Sequence, residues 1–308
     1  MYFCDRMERL IGRYGKYGAA KTFLIFAGVH GNEKLGIQAL EELFEEFEKK
    51  QVDFDGTIIG IACNLAALEQ DIRYIHKDLN RQWYLSKIRK LAALPYGMLN
   101  TSEDIEQKHI LELILDVVYD KGKELMLIDL HTTSAIGGCF CITNSHPRSS
   151  ELALDIPVPL INGMVGKIKG TTLEYFDELG LPAVAYEAGQ HAEIEAVDRM
   201  KAGLVSIFTK TSCLKDRDLE PYQFILDKMT EDFNHLPQNV EVVHLHKITE
   251  EDEFVMHPGY INFQEVKKGE YLADDRNGKI LSPSDGLILM PLYQKKGSDG
   301  FFIVRELD

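Results

Sequence analysis

The sequence predicts an α/β fold: a mixed central sheet with helices on both faces, followed by a small C-terminal β-barrel-like domain. Three observations point there. Short, near-continuous apolar runs alternate with amphipathic stretches through the first two thirds of the chain. After about residue 235 the runs shorten and are punctuated by Gly, Pro and Asp. The 308 residues, 45% of them hydrophobic, suffice for one large domain and an appendage, and the 27% charged residues are dispersed, which argues against disorder.

Taken in order, the N-terminal "MYFCDRMERLIGRYGKYG" places Asp5, Arg6, Glu8 and Arg9 where a secretory signal needs an unbroken apolar segment. No later run approaches transmembrane length, so the reading is a cytoplasmic protein without a membrane partner. "KTFLIFA", "GTIIGIA", "ELMLIDL", "GCFCIT" and "PAVAYEA" have the apolar continuity of strands buried on both faces. Between the first two, "LGIQALEELFEEFEKK" sets Leu40, Leu43, Phe44 and Phe47 on one face and glutamates opposite, an amphipathic helix. A second helix is expected around "EQKHILELILDVVYDKG", with Gly122 as its C-cap. "KDRDLEPYQFILDKMTEDF" reads as a connecting helix. Beyond it, "NVEVVHLHKI", "EFVMHPGYINF", "EYLADDRNGKILSPSDGLILMPLY" and "GFFIVRE" read as short strands with an Asp-Arg-Asn-Gly hairpin turn. The domains are therefore expected at 1–235 and 236–308.

Charge and cysteine content exclude several classes. A net charge of -15 and a pI near 5.2 argue against a nucleic-acid partner, whose phosphates need basic patches. The five cysteines (Cys4, Cys63, Cys139, Cys141, Cys213) lack CxxC spacing, so neither a disulfide framework nor a thiolate zinc site is expected. Cys139 and Cys141 alternate as two small apolar residues on one strand face.

In open α/β sheets, ligands collect beyond the carboxyl ends of the strands. Four strand ends here carry polar residues: His30 and Glu33 in "GVHGNE", Asn64 in "IACNLAALEQ", His131 in "DLHTT" and Glu187 in "YEAG". A histidine pair plus one carboxylate matches the three-ligand set of catalytic zinc, which leaves a position for water. HxxE alone arises by chance, and a strand-end histidine can equally cap a helix. What counts is the recurrence of such groups at separate strand ends, with small residues around His30 that permit close backbone approach. Asp129 is either a structural carboxylate or a group that orients a ligand. The segment "RYIHKDLNR" adds Arg73, suited to polarising a carbonyl, and Asn80 with Arg81, an amide and a planar fork suited to a carboxylate.

"GVHGNE", "RYIHKDLNR", "DLHTT" and "YEAGQH", in this order, resemble the succinylglutamate desuccinylase/aspartoacylase family, relatives of the zinc carboxypeptidases. The resemblance spans roughly residues 22–190 and extends more loosely to the C-terminal β region. It implies a zinc carboxypeptidase-like fold and a zinc amidohydrolase that removes the acyl group from an N-acyl amino acid. Carried over by motif, it implies His30, Glu33 and His131 as ligands of one Zn2+ per chain, Glu187 as general acid/base and Arg73 as the carbonyl-polarising group. Asn80 and Arg81 would form the carboxylate clamp, and Asn64 would face the substrate. The aspartoacylase branch has an arginine ten residues before its general base, where this chain has Asp177, so N-acetylaspartate is expected to be a poor substrate. Its tyrosine-rich C-terminal motif is only partly matched by "PLYQKKGSDGFF", leaving Tyr293 and Lys296 as candidates to reach the substrate. "VKKGEYLADDRNGKILSPSDGLIL" also resembles the hairpins of biotinyl and lipoyl carriers, but has no lysine flanked by small or methionine residues at a hairpin tip. A cover over the zinc cleft is the expectation. The alternatives carried forward are a carboxypeptidase-like zinc peptidase and a non-catalytic zinc-binding relative. The oligomeric state, a homo-oligomer included, is left open by the sequence.

Overall fold

The computed structural model describes residues 8–120, 122 and 124–307. Cys4, Asp5 and Arg6 lie outside the described residues. The strands are β1 (Leu10–Gly15), β2 (Lys21–Ala27), β3 (Thr57–Ala62), β4 (Glu124–Thr133), β5 (Phe140–Thr143), β6 (Leu160–Asn162) and β7 (Ala183–Gln190). They continue as β8 (Asn239–Lys247), β9 (Val255–Met256), β10 (Glu265–Val266), β11 (Tyr271–Asp275), β12 (Gly278–Leu281), β13 (Gly286–Leu289) and β14 (Asp299–Glu306). The helices are α1 (Leu35–Lys50), α2 (Leu65–Gln70), α3 (Leu85–Ala93), α4 (Ser102–Val118), α5 (Pro147–Ala153), α6 (Thr172–Glu178), α7 (Glu195–Lys210) and α8 (Asp216–Phe233).

Each expected apolar run forms a strand, and the runs lie side by side. The large sheet has the order β1-β3-β2-β4-β7-β5-β6-β8-β14-β13-β10. Its centre, β3-β2-β4-β7, is parallel, while β5 runs antiparallel to β7 and β14 antiparallel to β8, so the sheet is mixed. Continuity of apolar residues in β2 reflects burial on both sides. Phe23, Ile25 and Ala27 pack in one cluster with α1 and α7, whereas Leu24 and Phe26 pack in the other with α3 and α4. Alternate side chains of a strand point to opposite faces, which is why neither set could be polar.

Several elements depart from expectation. The short edge strand β1 and the three-residue β6 are additional, as are α3, α5, α6 and α7. Helix α4 starts earlier than periodicity suggests, because Thr101 accepts the Asp104 N–H as an N-cap. It ends at Val118 with Tyr119 as C-cap, so Gly122 does not cap it. The C-terminal strands divide between two sheets. β8, β14, β13 and β10 extend the large sheet from β6, and β12-β11-β9 form a second, three-stranded sheet. Met256, Val266, Leu272, Ile288, Phe301 and Ile303 fill a core of their own. Two packed sheets, one shared with the rest of the chain, therefore stand where a β-barrel-like unit was expected. The Asp-Arg-Asn-Gly turn does join β11 to β12, with Asp275 opposite Gly278 at a φ of 120°.

The free cysteines Cys63, Cys139, Cys141 and Cys213 are buried, and burial pushes the Cys139 thiol up to about 12, as befits core residues. Among the described residues no helix is long and apolar enough to cross a membrane.

Candidate metal and substrate site

Three parallel strands deliver the polar groups to one place. β2 ends at Ala27, and the chain turns through Gly28, at a φ of 63°, into the loop that carries His30 and Glu33. Gly31 explains the small residues around His30. A Cβ there would lie 2.2 Å from the carbonyl carbon of Ala67, so only glycine lets this loop press against α2. The Gly31 N–H also donates to the Arg73 carbonyl at 3.0 Å, joining the His30 loop to the segment that bears Arg73. His131 lies near the carboxyl end of β4, and in β7 the residue registered beside it is Glu187.

His30, Glu33 and His131 are buried, and one ligand atom of each lies within 4.8 Å of the others. The Nδ1 atoms of His30 and His131 stand 2.7 and 2.8 Å from the two carboxylate oxygens of Glu33. Each Nε2 faces a further carboxylate: Asp78 at 3.2 Å for His30, Asp129 at 3.1 Å for His131. Asp129 is itself held by the Thr172 hydroxyl at 2.5 Å. Asp78 accepts from Arg73 at 3.0 Å through its other oxygen, so one carboxylate positions both an imidazole and a guanidinium. Two imidazole Nδ1 atoms and a carboxylate thus converge, with a carboxylate behind each ring, a group that could hold a metal ion. The residues present fit zinc.

Electrostatics follow from the packing. Burial would push the Glu33 carboxyl up, but His30 and His131 hold it well below the usual carboxylate range. Burial would likewise raise Asp78, which Arg73 and then His30 hold well below its ordinary value. At Glu187 burial wins: it pushes the carboxyl up to about 8, opposed by His131 and reinforced by Glu33 and Asp129, and its Oε2 has no hydrogen-bond partner among the described residues.

His30, Glu33, His131 and Glu187 line a cleft of about 900 Å³, open mouth included, together with Arg73, Asn80 and Arg81. The Asn80 side-chain carbonyl accepts the Thr172 N–H at 3.0 Å, which leaves its amide nitrogen to donate. Arg81 donates to the Asn80 carbonyl at 2.7 Å and forms an ion pair with Asp299 at the start of β14.

Three expected residues are placed elsewhere. Asn64 is fully buried at the start of α2 and does not line the cleft. The Tyr293 hydroxyl is engaged by the Tyr260 N–H at 2.9 Å and donates to the His257 or Tyr260 carbonyl, which holds the ring in the C-terminal strands. Lys296 donates to the Tyr74 carbonyl at 2.7 Å and lies over the Tyr74 ring, so its charge braces the Arg73 loop from outside. Asp177 also faces away, accepting from the N–H and hydroxyl of Ser145 at the surface.

Two residues not singled out from the sequence support the site. Glu103 is fully buried, and its carboxylate receives the backbone N–H groups of Ile75, His76 and Lys77 at 2.7 to 3.3 Å. It pins the loop between Arg73 and Asn80, and its only sequence signal was an acidic residue in the first turn of α4. His191 pairs with the Thr132 hydroxyl at 2.8 Å, and burial lowers its pKa. It belonged to the quoted motif "YEAGQH", but without a role.

Comparisons with known proteins agree with this architecture. A family model described as the succinylglutamate desuccinylase/aspartoacylase catalytic domain matches residues 19–209. The succinylglutamate desuccinylase of Pseudomonas putida is 25% identical over 276 residues, 82% of this chain and 72% of that protein. That of Photorhabdus laumondii is 33% identical over 63 residues, 20% of this chain and 19% of that protein. Across three such curated relatives the matched stretch spans only 19% to 36% of the relative's length. Among solved structures, murine aminoacylase 3 superposes with a TM-score of 0.66 at 15% identity, covering 95% of this chain and 97% of that one, a likeness of fold. With its matched domain carrying both histidines, Glu33 and Glu187, the chain belongs to the succinylglutamate desuccinylase/aspartoacylase family.

Proposed function

We propose that the protein is a zinc-dependent amidohydrolase that removes the acyl group from an N-acyl amino acid. The observation that carries this reading is the convergence of two carboxylate-backed imidazole Nδ1 atoms on Glu33, in a cleft that also holds a buried, unpartnered carboxyl, Glu187. His30, Glu33 and His131 would hold the ion. Zinc bound there supplies a Lewis acid and brings the pKa of water down to about 7.

The rest falls to the chain's own side chains. Glu187 Oε2, with no competing partner, takes the proton from the attacking water and returns it to the leaving nitrogen. Its upward shift suits this exchange, since a group titrating near neutrality both accepts and donates. Arg73 keeps two of its nitrogens on Asp78, at 3.2 and 3.0 Å, and directs Nη1 toward Glu33 at 3.9 Å, where it can hold the carbonyl oxygen. The amide nitrogen of Asn80 and the fork of Arg81 bind the substrate carboxylate. The net charge of -15 does not forbid an anionic substrate, because screening over about 10 Å mutes distant carboxylates while the arginine acts at contact.

Residues 236–308 serve in this reading as a cover. Leu292, Asp299 and Phe302 from this region line the cleft, which favours small N-acyl amino acids over the extended chains a peptidase admits. The test is direct. Purified protein should carry about one zinc per chain, and the zinc-loaded protein should cleave members of a panel of N-acetyl, N-succinyl and longer N-acyl amino acids. Cleavage confined to C-terminally free peptides would establish the peptidase instead, and zinc without any cleavage would establish a binder.

A further inference from the structure

The charges and the apolar surface of the cleft are distributed unevenly. Opposite the histidines, Ile142 of β5, Met164 and Ile168 of the segment after β6, Leu173 of α6 and Phe302 of β14 line the cavity and belong to one continuous apolar cluster. Only two cationic side chains, Arg73 and Arg81, line the cleft among the described residues. Arg73 is engaged by Asp78, and Arg81 by Asp299. Two of the lining hydroxyls are also engaged: Thr133 donates to the Ala135 carbonyl at 2.6 Å, and Thr132 pairs with His191 at 2.8 Å.

A substrate with one carboxylate can share Arg81 with Asp299, because Arg81 lines the cleft and its buried Nε has no partner among the described residues. A second carboxylate finds no further cationic side chain among the described residues of the lining. It would face either the apolar wall or the negative charge of Asp299, and a like charge in a partly dry cleft selects against the wrong partner. An apolar group gains by taking its own surface out of water against the lining that Met164, Ile168 and Leu173 form.

We infer that this cleft selects N-acyl amino acids that carry a single carboxylate and an apolar variable group, and discriminates against acidic ones. The inference rests on the deacylase reading above. The apolar group can sit on the acyl chain or on the amino-acid side chain, and two substrate series separate these sources. In the first, N-acetyl derivatives of alanine, methionine, leucine, phenylalanine, aspartate and glutamate are compared with the zinc-loaded full chain. In the second, methionine carries acetyl, butanoyl, hexanoyl or succinyl groups. In at least one series kcat/KM should climb about tenfold or more from the smallest to the best apolar member. Every member with a second carboxylate should fall roughly tenfold or more below its neutral counterpart. Asp299→Asn, which removes the negative charge beside Arg81, should raise the acidic-to-neutral ratio by about fivefold. Acidic substrates equal to or ahead of neutral ones would overturn the inference and leave the deacylase reading intact. Calorimetric binding of free phenylalanine and free glutamate reads the cleft without turnover. If nothing in either series is cleaved but phenylalanine binds more tightly, the deacylase reading fails while the selectivity stands.

Discussion

The two walls of the cleft are built differently. On the proposed metal side, His30 and Glu33 sit just past the end of β2 and His131 near the carboxyl end of the adjacent β4, and each imidazole is fixed from behind by Asp78 or Asp129. The substrate side is assembled from five separate places: the turn at Asn80 and Arg81, β5, the segment after β6, α6 and the chain around β14. A wall made from strand ends and backed by carboxylates is held rigidly where chemistry demands it. A wall drawn from loops and from residues 218 apart, as Arg81 and Asp299 are, can change specificity without disturbing the ligands.

The strongest way to break this contrast is to remove a histidine. His131→Ala or His30→Ala leaves a single imidazole, so zinc content should fall from about one per chain toward zero, and turnover should fall to background. Metal analysis checks it. If the double variant kept full occupancy, the ion would be held elsewhere.

Next in size is Glu187→Gln, which keeps the shape but cannot accept a proton. We expect kcat to drop by about 10² to 10⁴ with zinc content unchanged. That separates chemistry from metal binding within one wall, and normal turnover by the variant would place the proton shuttle on another group.

Arg81→Ala probes the opposite wall. Losing a charge-assisted hydrogen bond costs about 1.5 to 3 kcal/mol, one to two decades, here expected mainly in KM. The loss should shrink for substrates whose α-carboxylate is amidated, because they never used the clamp. Equal losses for free and amidated substrates would remove Arg81 from that role.

The same contrast explains what could be read from the sequence. Strand ends were legible because buried parallel strands are continuous apolar runs, and a polar residue just past one has few structural reasons to be there. His30, Glu33, His131 and Glu187 were found that way, and the structure brings all four into one cleft. The partners were less legible. Asp299, at the start of β14, carried no signal of its own, and only the pairing of β14 with β8 carries it to Arg81. Tyr293 and Lys296 occupy nearly the expected stretch of chain, but hydrogen bonds to Tyr260, His257 and Tyr74 turn them aside. Side-chain direction in a loop depends on contacts made far along the chain, and no local pattern encodes it. Asp177 is turned away from the cleft for the same reason, held by Ser145.

The smallest expected effect is also the most discriminating. Glu103 touches neither the metal ligands nor the cleft lining, yet it collects three backbone N–H groups between Arg73 and Asp78. Glu103→Gln preserves the volume and one acceptor oxygen but loses the charge, so about 1 to 2 kcal/mol of loop anchoring should disappear. His131 and the Asp129 behind it both lie in β4, away from that loop, and zinc content should not change. If Glu103 only stabilises the fold, Tm falls while kcat/KM at a temperature well below Tm stays as it was. If it positions the substrate wall, kcat/KM drops severalfold at that temperature, and amide exchange at residues 75–77 speeds up while exchange in β4 does not. The second outcome is expected, because Arg73 and Asn80 flank the three residues whose N–H groups Glu103 holds. Faster exchange in β4 as well would mean that the two walls share one support, and the contrast between them would dissolve.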